Sequence, residues 1–360
     1  MTSLPQRISR EIRLATRPEG LPAPEDFALA EVPVVDAPEP GQVLVRNRQF
    51  LVHGGLRTLL GGTARDTPVP VLHPGDTLYG PAVGEVVLAP PDSPLRPGDL
   101  VTHLLGWREY ALVPAAECAR VDPALPDPVA ELASGSAAYG ALTRVARVRE
   151  GDVVLVTGAA GGVGSLAGQI ARLLGASRVI GTTGTPGKAG RLVSELGYDT
   201  VLTAGSWREA RGAGGSREAY RAFAGRLAEA APDGIDVLLD TVGGTQLTAA
   251  VDAARQGARF ALVGALSGQL AADGSGASAP AEIDTFRLIV KGVSVRGYLG
   301  TEHPGVREEW TARLADWLRS GRIRLPLTRI TGIDSAPRAL RELIEGQRVG
   351  TVVVELPDHG

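Results

Sequence analysis

Residues 153–164 read Val153-Val154-Leu155-Val156-Thr157-Gly158-Ala159-Ala160-Gly161-Gly162-Val163-Gly164, and they say more about the fold than any other segment. An apolar run of strand length enters a glycine-rich turn, and a helical pattern follows. Such a turn places backbone N–H groups and a helix N-terminus where a pyrophosphate can bind. The spacing Ala159-x-Gly161-x-x-Gly164 has alanine at the first position of the dinucleotide fingerprint. A dinucleotide site is favoured over a purely structural turn.

Strand-like and helix-like segments alternate around this turn. Strands are predicted at Val153–Val156, Arg178–Gly181, Ile235–Leu239 and Arg259–Val263, and helices at Val163–Leu174, Lys188–Leu196 and Thr245–Ala254. Short buried strands separated by helices are typical of a parallel sheet covered on both faces. The sequence therefore predicts an α/β fold in which residues 131–306 form a Rossmann domain with a doubly wound parallel sheet.

The flanking segments have a different character. Residues 1–130 contain short alternating or β-branched runs separated by proline and glycine, which is typical of an antiparallel β domain. A helix at Val306–Ser320 and a strand at Thr351–Leu356 follow, and residues 307–360 are predicted to complete the first domain. The stretches 206–216 and 271–279, rich in glycine and alanine, are predicted to be surface loops.

Composition and charge exclude several classes of protein. The 360 residues carry 37 basic and 40 acidic side chains, a net charge of −3, which argues against a nucleic-acid-binding surface. One cysteine, Cys118, excludes a disulfide framework and any multi-cysteine metal site. No apolar stretch reaches the about 20 residues of a membrane span, and no secretory signal precedes residue 17. We expect a cytoplasmic protein that binds a small molecule.

The residues after the second predicted strand indicate which dinucleotide binds. NAD sites use an acidic residue there to bind the ribose, but no Asp or Glu occurs from Val153 to Ser194. Thr183 and Gly184 end the strand, and Lys188, one of only two lysines in the chain, follows. Hydroxyls and a cation suit a 2′-phosphate, which a carboxylate would repel. The pattern favours NADPH; the alternative is that Lys188 only solvates a helix start.

Several further motifs, together with this turn, carry a family resemblance. They are Phe27–Pro33, Gly41–Asn47, Val83–Val87, Gly106–Ala111, Gly158–Lys188, Gly234–Gly244, Gly321–Ile323 and Ile344–Gly350. In these residues the chain resembles the zinc-independent medium-chain dehydrogenase/reductases. Within them it is most similar to the branch of prostaglandin reductase, leukotriene 12-hydroxydehydrogenase and NADPH-dependent alkenal and enone reductases.

The resemblance implies a GroES-like domain with a Rossmann domain inserted before its last segment, and an active site in the cleft between them. Relatives reduce the C=C bond of α,β-unsaturated carbonyl compounds, and many are homodimers. The cofactor residues carried over are those of the phosphate loop, the 2′-phosphate subsite and the nicotinamide-side loops: Ala159, Gly161, Gly162, Val163, Gly164, Thr183, Gly184, Lys188, Val242, Gly243, Gly264, Ala265 and Leu266.

The substrate side departs from the family pattern. Where relatives carry an Asp-Pro-Tyr-Met-Arg run, this chain has His53-Gly54-Gly55-Leu56-Arg57, so only the arginine matches. A tyrosine that helps to bind the 2′-phosphate is replaced near Ala204. The Gly-His-Glu signature of the zinc enzymes is absent as well, because the corresponding region reads Gly80-Pro81-Ala82-Val83-Gly84-Glu85. We expect no metal, and a substrate pocket that differs from that of the relatives.

Without a metal, a hydrogen-bond donor must stabilise the negative charge that develops on the carbonyl oxygen. The candidate catalytic residues are Tyr298, His53 and Tyr79, and the candidate substrate residues are Arg57 and Tyr139. Each has a simpler alternative: the tyrosines could be packing aromatics, His53 an exposed loop residue, and Arg57 a structural ion-pair partner. The ribose hydroxyl of the cofactor could also act as the donor.

Four functions remain open from the sequence. The favoured one is NADPH-dependent reduction of the C=C bond of an α,β-unsaturated carbonyl compound. A natural-product intermediate is one candidate substrate. The others are an NADPH quinone reductase, a biosynthetic tailoring enzyme of this fold that catalyses a non-redox cyclisation or elimination, and a cofactor-sensing protein without catalysis.

Overall fold

The computed structural model describes residues 7–35, 37–61, 70–203, 217–270 and 278–357. The predicted loop 206–216, Ala204 and most of the predicted loop 271–279 lie outside these ranges. The chain divides into two compact units. The first unit comprises Met1–Leu132, Leu327–Glu345 and Thr351–Gly360, and the second comprises Ala133–Pro326 and Gly346–Gly350.

The described residues form strands and helices that are numbered in chain order. The strands are β1 (Ile8–Leu14), β2 (Phe27–Pro33), β3 (Gln42–Val52), β4 (Ala82–Leu88), β5 (Leu100–His103), β6 (Tyr110–Pro114), β7 (Ala119–Arg120), β8 (Val153–Val156), β9 (Arg178–Thr183), β10 (Thr200–Thr203), β11 (Ile235–Asp240), β12 (Ala254–Leu262), β13 (Ser294–Gly297), β14 (Leu327–Thr331) and β15 (Thr351–Glu355). The helices are α1 (Leu56–Leu60), α2 (Gly135–Gly140), α3 (Gly164–Leu173), α4 (Ala189–Glu195), α5 (Arg217–Ala230), α6 (Gly244–Asp252), α7 (Leu266–Gln269), α8 (Thr285–Lys291), α9 (Val306–Arg319) and α10 (Ala336–Ile344).

The second unit is built on a parallel sheet with the order β10-β9-β8-β11-β12-β13. In order of appearance these strands lie 3-2-1-4-5-6, the doubly wound Rossmann order. Leu155, Leu238 and Phe260 from the central strands are buried, because helices pack on both faces. The order reverses between β8 and β11, so the crevice where such sheets bind ligands opens beyond the carboxyl ends of these two strands.

The first unit contains a sheet of order β14-β15-β3-β4-β5-β7, with β6 also paired to β3. All of its pairings are antiparallel except β14 with β15. Val43, Val45, Val86 and Val101 pack together on one of its buried faces. A separate antiparallel pair joins β1 and β2.

The predicted fold class is confirmed, and the division into compact units differs from the predicted boundary at residue 307. Residues 307–326, including most of α9, belong to the second unit. The reason is local packing, because Trp310 of α9 lies so close to Gly135 of α2 that a Cβ at 135 would come within 2.0 Å of its ring. Gly346–Gly350 also belongs to the second unit, between two segments of the first.

Candidate cofactor and substrate sites

The phosphate loop connects β8 to α3, and its backbone permits a close approach. Gly158 adopts a φ of +63°, in the left-handed region that favours glycine. A Cβ at Gly164 would lie 2.3 Å from the Gly158 carbonyl oxygen, so the first turn of α3 can pack on the loop only because this residue is glycine. Gly161 is exposed at the tip of the loop, and Gly162 and Val163 are half-buried. Ala159 is fully buried, and its N–H donates to the Thr182 carbonyl (2.8 Å).

A buried carboxylate holds the next loop, and the sequence analysis did not identify it. Asp240 ends β11 and accepts hydrogen bonds from the Thr157 hydroxyl (2.5 Å) and from the N–H groups of Val242 and Gly243 (3.0 Å each). Burial raises the pKa of Asp240, and these hydrogen bonds oppose the rise. Thr157 precedes the phosphate loop, so this contact couples the two loops that follow β8 and β11. The only sequence signal was a carboxylate at the end of a buried strand.

The nicotinamide-side loops predicted from the family are joined to each other. The Leu266 N–H donates to the Thr241 carbonyl (3.1 Å), and the Gly264 N–H donates to the Asp240 carbonyl (3.2 Å). Ala265 precedes the short helix α7. These loops follow β11 and β12 at the carboxyl edge of the sheet, as the phosphate loop follows β8. The structure thus brings the predicted cofactor residues of the second unit to one edge.

Lys188 is half-buried in a short helical turn before α4, and its ammonium donates to the Arg348 carbonyl (2.5 Å). Burial lowers its pKa to about 8. Thr183 is buried at the end of β9, and its hydroxyl accepts from the Thr185 N–H (3.3 Å). A cation and a hydroxyl therefore flank the turn that contains Gly184, with no acidic residue in the segment.

The segment Gly346–Gly350 is a further part of this site that the sequence analysis missed. The Gly350 N–H donates to the Ala160 carbonyl (2.8 Å), and the Thr185 hydroxyl donates to the Gly346 carbonyl (3.2 Å). With the Lys188–Arg348 bond, three contacts fix this segment beside the phosphate loop. More than 150 residues separate the partners (160 between Lys188 and Arg348), so no local pattern could have indicated the contact.

Tyr298 follows β13, and its N–H donates to the Leu262 carbonyl (2.8 Å) at the end of β12. Its ring stacks on His303 with centroids 5.2 Å apart and planes at 5°. A Cβ at Gly140 would come within 2.1 Å of the Tyr298 hydroxyl oxygen, so the hydroxyl lies against the backbone of α2. Within the described residues this hydroxyl has no hydrogen-bond partner. Burial raises the pKa of Tyr298, and Arg144 opposes the rise.

Tyr139 does not fit the substrate role expected for it. Its side chain is buried, and its hydroxyl donates to the Glu309 carboxylate, which also pairs with Arg144. Its ring packs at 5.9 Å from Trp310 and 6.3 Å from Trp317, between centroids. These contacts support the packing alternative, in which Tyr139 joins α2 to α9.

The remaining candidates, His53, Arg57 and Tyr79, lie in the first unit. His53 follows β3, and burial lowers its pKa. Arg57 on α1 is buried, and its pKa is lowered by burial, which the charge of Asp26 opposes. The Tyr79 hydroxyl donates to the Pro70 carbonyl, so it is already engaged and is a poor candidate for a catalytic donor. His53 is the better placed of the two catalytic candidates in this unit.

In the parts of the chain that the structure describes, no group of three or more His, Cys, Asp or Glu side chains could hold a metal ion. His103 is bonded to Asn47 Oδ1 (2.8 Å) and accepts from the Leu105 N–H (3.0 Å). Cys118 is half-buried, and burial raises its pKa to about 11. None of the described helices has the length and apolar character needed to cross a membrane.

Two family models match the chain, one in each unit. A model described as the N-terminal domain of oxidoreductase covers residues 10–121, and one described as zinc-binding dehydrogenase covers residues 162–320. The putative NADP-dependent oxidoreductase YfmJ of Bacillus subtilis (strain 168) is 31% identical over 358 residues, which is 97% of this chain and 98% of that protein.

Two further similarities concern NADPH-dependent proteins. The NADPH-dependent curcumin reductase of Escherichia coli (strain K12) is 28% identical over 95% of each chain. The crystal structure of CurA from Vibrio vulnificus in complex with NADPH matches with a TM-score of 0.81 at 28% identity, over 97% of this chain and 99% of that one. The similarity therefore runs through both family-matched regions and the segments that flank them.

Proposed function

This chain belongs to the zinc-independent medium-chain dehydrogenase/reductases, in the branch of alkenal and enone reductases, and we propose that it reduces the C=C bond of an α,β-unsaturated carbonyl compound. It is an oxidoreductase, and its cofactor is NADPH. When bound, NADPH supplies a hydride and so provides both electrons of the reduction. The cytoplasmic location expected from the sequence stays a prediction.

The observation that carries the proposal is the combination of a phosphate loop with a basic subsite. Gly161 is exposed at the tip of the loop and has no side chain of its own to keep a pyrophosphate from the backbone N–H groups. Lys188 lies partly desolvated with its charge facing a carbonyl, and no carboxylate occurs from Val153 to Ser194. A 2′-phosphate would gain a charge-assisted hydrogen bond from Lys188, which a 2′-hydroxyl would not match. These residues fit NADPH and disfavour NADH.

The chain's own residues would bind and orient the substrate. Reduction of the C=C bond moves negative charge to the carbonyl oxygen, so a fixed donor near that oxygen lowers the barrier. Tyr298 and His53 are the catalytic candidates that remain, because the Tyr79 hydroxyl is engaged by the Pro70 carbonyl. We assign Tyr298 a donor role, since its hydroxyl is held against Gly140 without a partner in the described residues.

The test follows NADPH oxidation and product formation with benzylideneacetone, a quinone and a saturated ketone as separate substrates. The proposal expects the saturated ketone as product from benzylideneacetone and no reaction of the saturated ketone itself. The Tyr298→Phe variant should lower kcat by about tenfold or more with NADPH affinity unchanged. NADPH oxidation with the quinone alone would instead identify a quinone reductase.

We propose further that the protein is a homodimer that pairs through β13. This strand is the last of the parallel sheet, and β12 is its only neighbour in the described order, so one edge is open. Beside it, α8 contains no buried residue, and Phe286 and Ile289 are 70% and 75% exposed. Open edges and grouped apolar side chains are features that proteins normally cover. A second copy brings the same edge and the same apolar side chains, as a twofold interface requires.

A further inference from the structure

Gly80 lies in the first unit, just before β4, and the space that a side chain on it would occupy is here called the recess. Gly80 is buried, and a Cβ built on it would meet no described atom nearer than 3.7 Å. The nearest atoms are both ring nitrogens, Trp107 Nε1 at 3.7 Å and His53 Nε2 at 3.8 Å from that Cβ position. These are ordinary van der Waals distances, so a methyl group would fit at this position, and polar atoms of two different segments border it.

Trp107 is held in an unfavourable conformation that keeps its indole at this place. Its φ is 62°, in the left-handed region that bulky residues rarely adopt and that costs on the order of 1–3 kcal/mol. Backbone hydrogen bonds enforce it: the Ile12 N–H donates to the Trp107 carbonyl (2.9 Å), and the Gly106 N–H donates to the Gly80 carbonyl (3.0 Å). The same segment therefore fixes both the indole and the floor of the recess.

The indole N–H of Trp107 has no acceptor among the described residues, although the side chain is fully buried. A buried donor without a partner costs about 1–3 kcal/mol, and native proteins contain few of them. A ligand atom that accepts a hydrogen bond would remove this cost. The unpaired N–H therefore indicates that the recess receives an acceptor.

The charge state of His53 indicates which kind of acceptor would bind. Burial lowers the pKa of His53, so its ring is neutral at neutral pH. A neutral imidazole and an indole N–H together offer hydrogen bonds without a formal charge. An uncharged oxygen such as a ketone or aldehyde carbonyl fits this pair, whereas a phosphate or a carboxylate would favour a cationic partner.

We propose that the recess at Gly80 binds the carbonyl oxygen of the substrate, with the Trp107 indole N–H as donor and the His53 ring as the second polar contact. The identity of the substrate rests on the proposed function. As the C=C bond is reduced at its β-carbon, its π electrons shift toward the carbonyl and the oxygen becomes negative. A proton from water or a side chain then goes to the α-carbon. The indole N–H stabilises the oxygen through both states, and more strongly when it is charged.

Two substitutions test the recess from opposite directions. Gly80→Ala fills it with a methyl group, which meets both ring nitrogens at ordinary contact distances and needs no left-handed backbone. Trp107→Phe keeps an aromatic ring but removes the N–H. Both should lower kcat/KM for benzylideneacetone by about tenfold or more, with NADPH affinity unchanged. Trp317→Phe, which removes an indole of the second unit, is the matched control and should retain kcat/KM.

A binding measurement separates this inference from the proposed reaction. The indole N–H signal of Trp107, assigned by its loss in Trp107→Phe, is followed in a proton–nitrogen spectrum while benzylacetone, the saturated ketone, is added. The proposal expects the signal to shift in the wild type and not in Gly80→Ala. If the signal does not shift when the ketone is added and both variants keep the wild-type kcat/KM, the recess is not a carbonyl site. The proposed reduction of enones is not affected by that result.

If the wild type reduces no enone but the indole signal shifts with the ketone and Gly80→Ala abolishes the shift, the recess inference holds and the proposed reaction is what fails. If Gly80→Ala does not fold, Trp107→Phe decides: an unchanged kcat/KM in that variant overturns the proposal, and a loss at unchanged melting temperature supports it.

Discussion

Lys188 and Lys291 are the only lysines in the chain, and each donates to a backbone carbonyl. Lys188 donates to Arg348 (2.5 Å) and Lys291 to Asp252 (2.9 Å). Lys188 lies beside the phosphate loop, whereas Lys291 ends α8. The pair therefore offers a variant and a matched control in which the same chemical group is removed from two comparably bonded positions.

Replacing Lys188 with alanine should reduce NADPH affinity by about 10- to 100-fold, the scale of one charge-assisted hydrogen bond of roughly 1.5–3 kcal/mol. NADH affinity should change little, because NADH has no 2′-phosphate. Titration by nicotinamide fluorescence measures both constants. Lys291→Ala should leave them unchanged, and an equal loss for NADPH and NADH in Lys188→Ala would contradict the assigned role.

The preference for NADPH should also depend on pH. Burial lowers the pKa of Lys188 to about 8 in the free protein, and a bound phosphate would raise it again. Binding is strongest with a protonated lysine and a dianionic phosphate, whose second pKa is about 6, so from about pH 7 upward NADPH affinity should be constant to about pH 8 and fall above it. In the wild type, the ratio of NADPH to NADH affinity should fall above about pH 8. In Lys188→Ala, the same ratio should not change with pH in this way. A ratio that rises with pH would contradict the assignment.

His103 provides a second prediction, about stability. Leu105 N–H donates to its Nδ1, so the ring proton lies on Nε2 and is donated to Asn47 Oδ1. This neutral ring is buried, and its pKa falls from 6.5 to about 4. The unfolded chain therefore binds a proton first as the pH drops, and the folded state should lose about 3 kcal/mol of stability between pH 6.5 and 4.

Urea unfolding at several pH values tests this prediction. His103→Gln should show a smaller decline of unfolding free energy over the same range, because glutamine binds no proton there. An identical slope in His103→Gln would mean that the buried ring does not control this part of the pH dependence.

At the scale of elements, the junction of β8, the phosphate loop and α3 depends on Gly164. A methyl group there would lie 2.3 Å from the Gly158 carbonyl oxygen and 2.7 Å from Ala159 Cα, and backbone atoms cannot move aside easily. Gly164→Ala should therefore lower the unfolding free energy by more than about 2 kcal/mol and weaken NADPH and NADH binding together.

Gly187→Ala is the control for this substitution. Gly187 has open space at its Cβ position and no left-handed φ, so alanine should be neutral or slightly stabilising. Denaturant unfolding and cofactor titration of both variants provide the comparison. A Gly164→Ala protein with wild-type stability would show that the loop packs less tightly against α3 than described.

Elements with a single clear period could be predicted from the sequence, and others could not. The strand predicted at Val153–Val156 matched β8 end to end, because all four of its apolar residues are buried. Strand β1 was not predicted. Its Arg10 and Arg13 read as a polar segment, but they lie beside Glu109 and Glu11, whose carboxylates neutralise them. Such pairing partners are invisible in a local pattern.

The same limit applied to the candidate sites. The glycines of the phosphate loop and Lys188 were predictable, since their roles follow from spacing and residue type. Asp240 and the Gly346–Gly350 segment were missed, because their contacts with Thr157 and Ala160 join distant parts of the chain. The engagement of Tyr139 by Glu309, 170 residues away, was equally hidden.

At the scale of the whole molecule, the open edge at β13 predicts the oligomeric state. The chain has a mass of 37.3 kDa, and light scattering should find a species of twice that mass. Ile289→Arg places a charge in the exposed apolar group of α8 and should produce monomers. Leu29→Arg is the control, because Leu29 is an exposed apolar residue of the first unit (48%), whereas β13 and α8 belong to the second.

A wild-type mass of a single chain would contradict the dimer, as would an unchanged mass of Ile289→Arg. The domain boundary at 307 shows why such whole-molecule properties are hard to read from a sequence. The sequence analysis placed α9 with the first domain because of its position in the chain. The helix packs with the second unit instead, through Trp310 against Gly135 and Glu309 against Tyr139.

The position of the transferred hydrogen tests the central claim most directly. The protein is incubated with benzylideneacetone and NADPH that carries deuterium at its transferable position, and the product is examined by nuclear magnetic resonance. The account predicts a saturated ketone with deuterium on the β-carbon. Deuterium on the carbonyl carbon of an alcohol, or a product formed without deuterium, would contradict it.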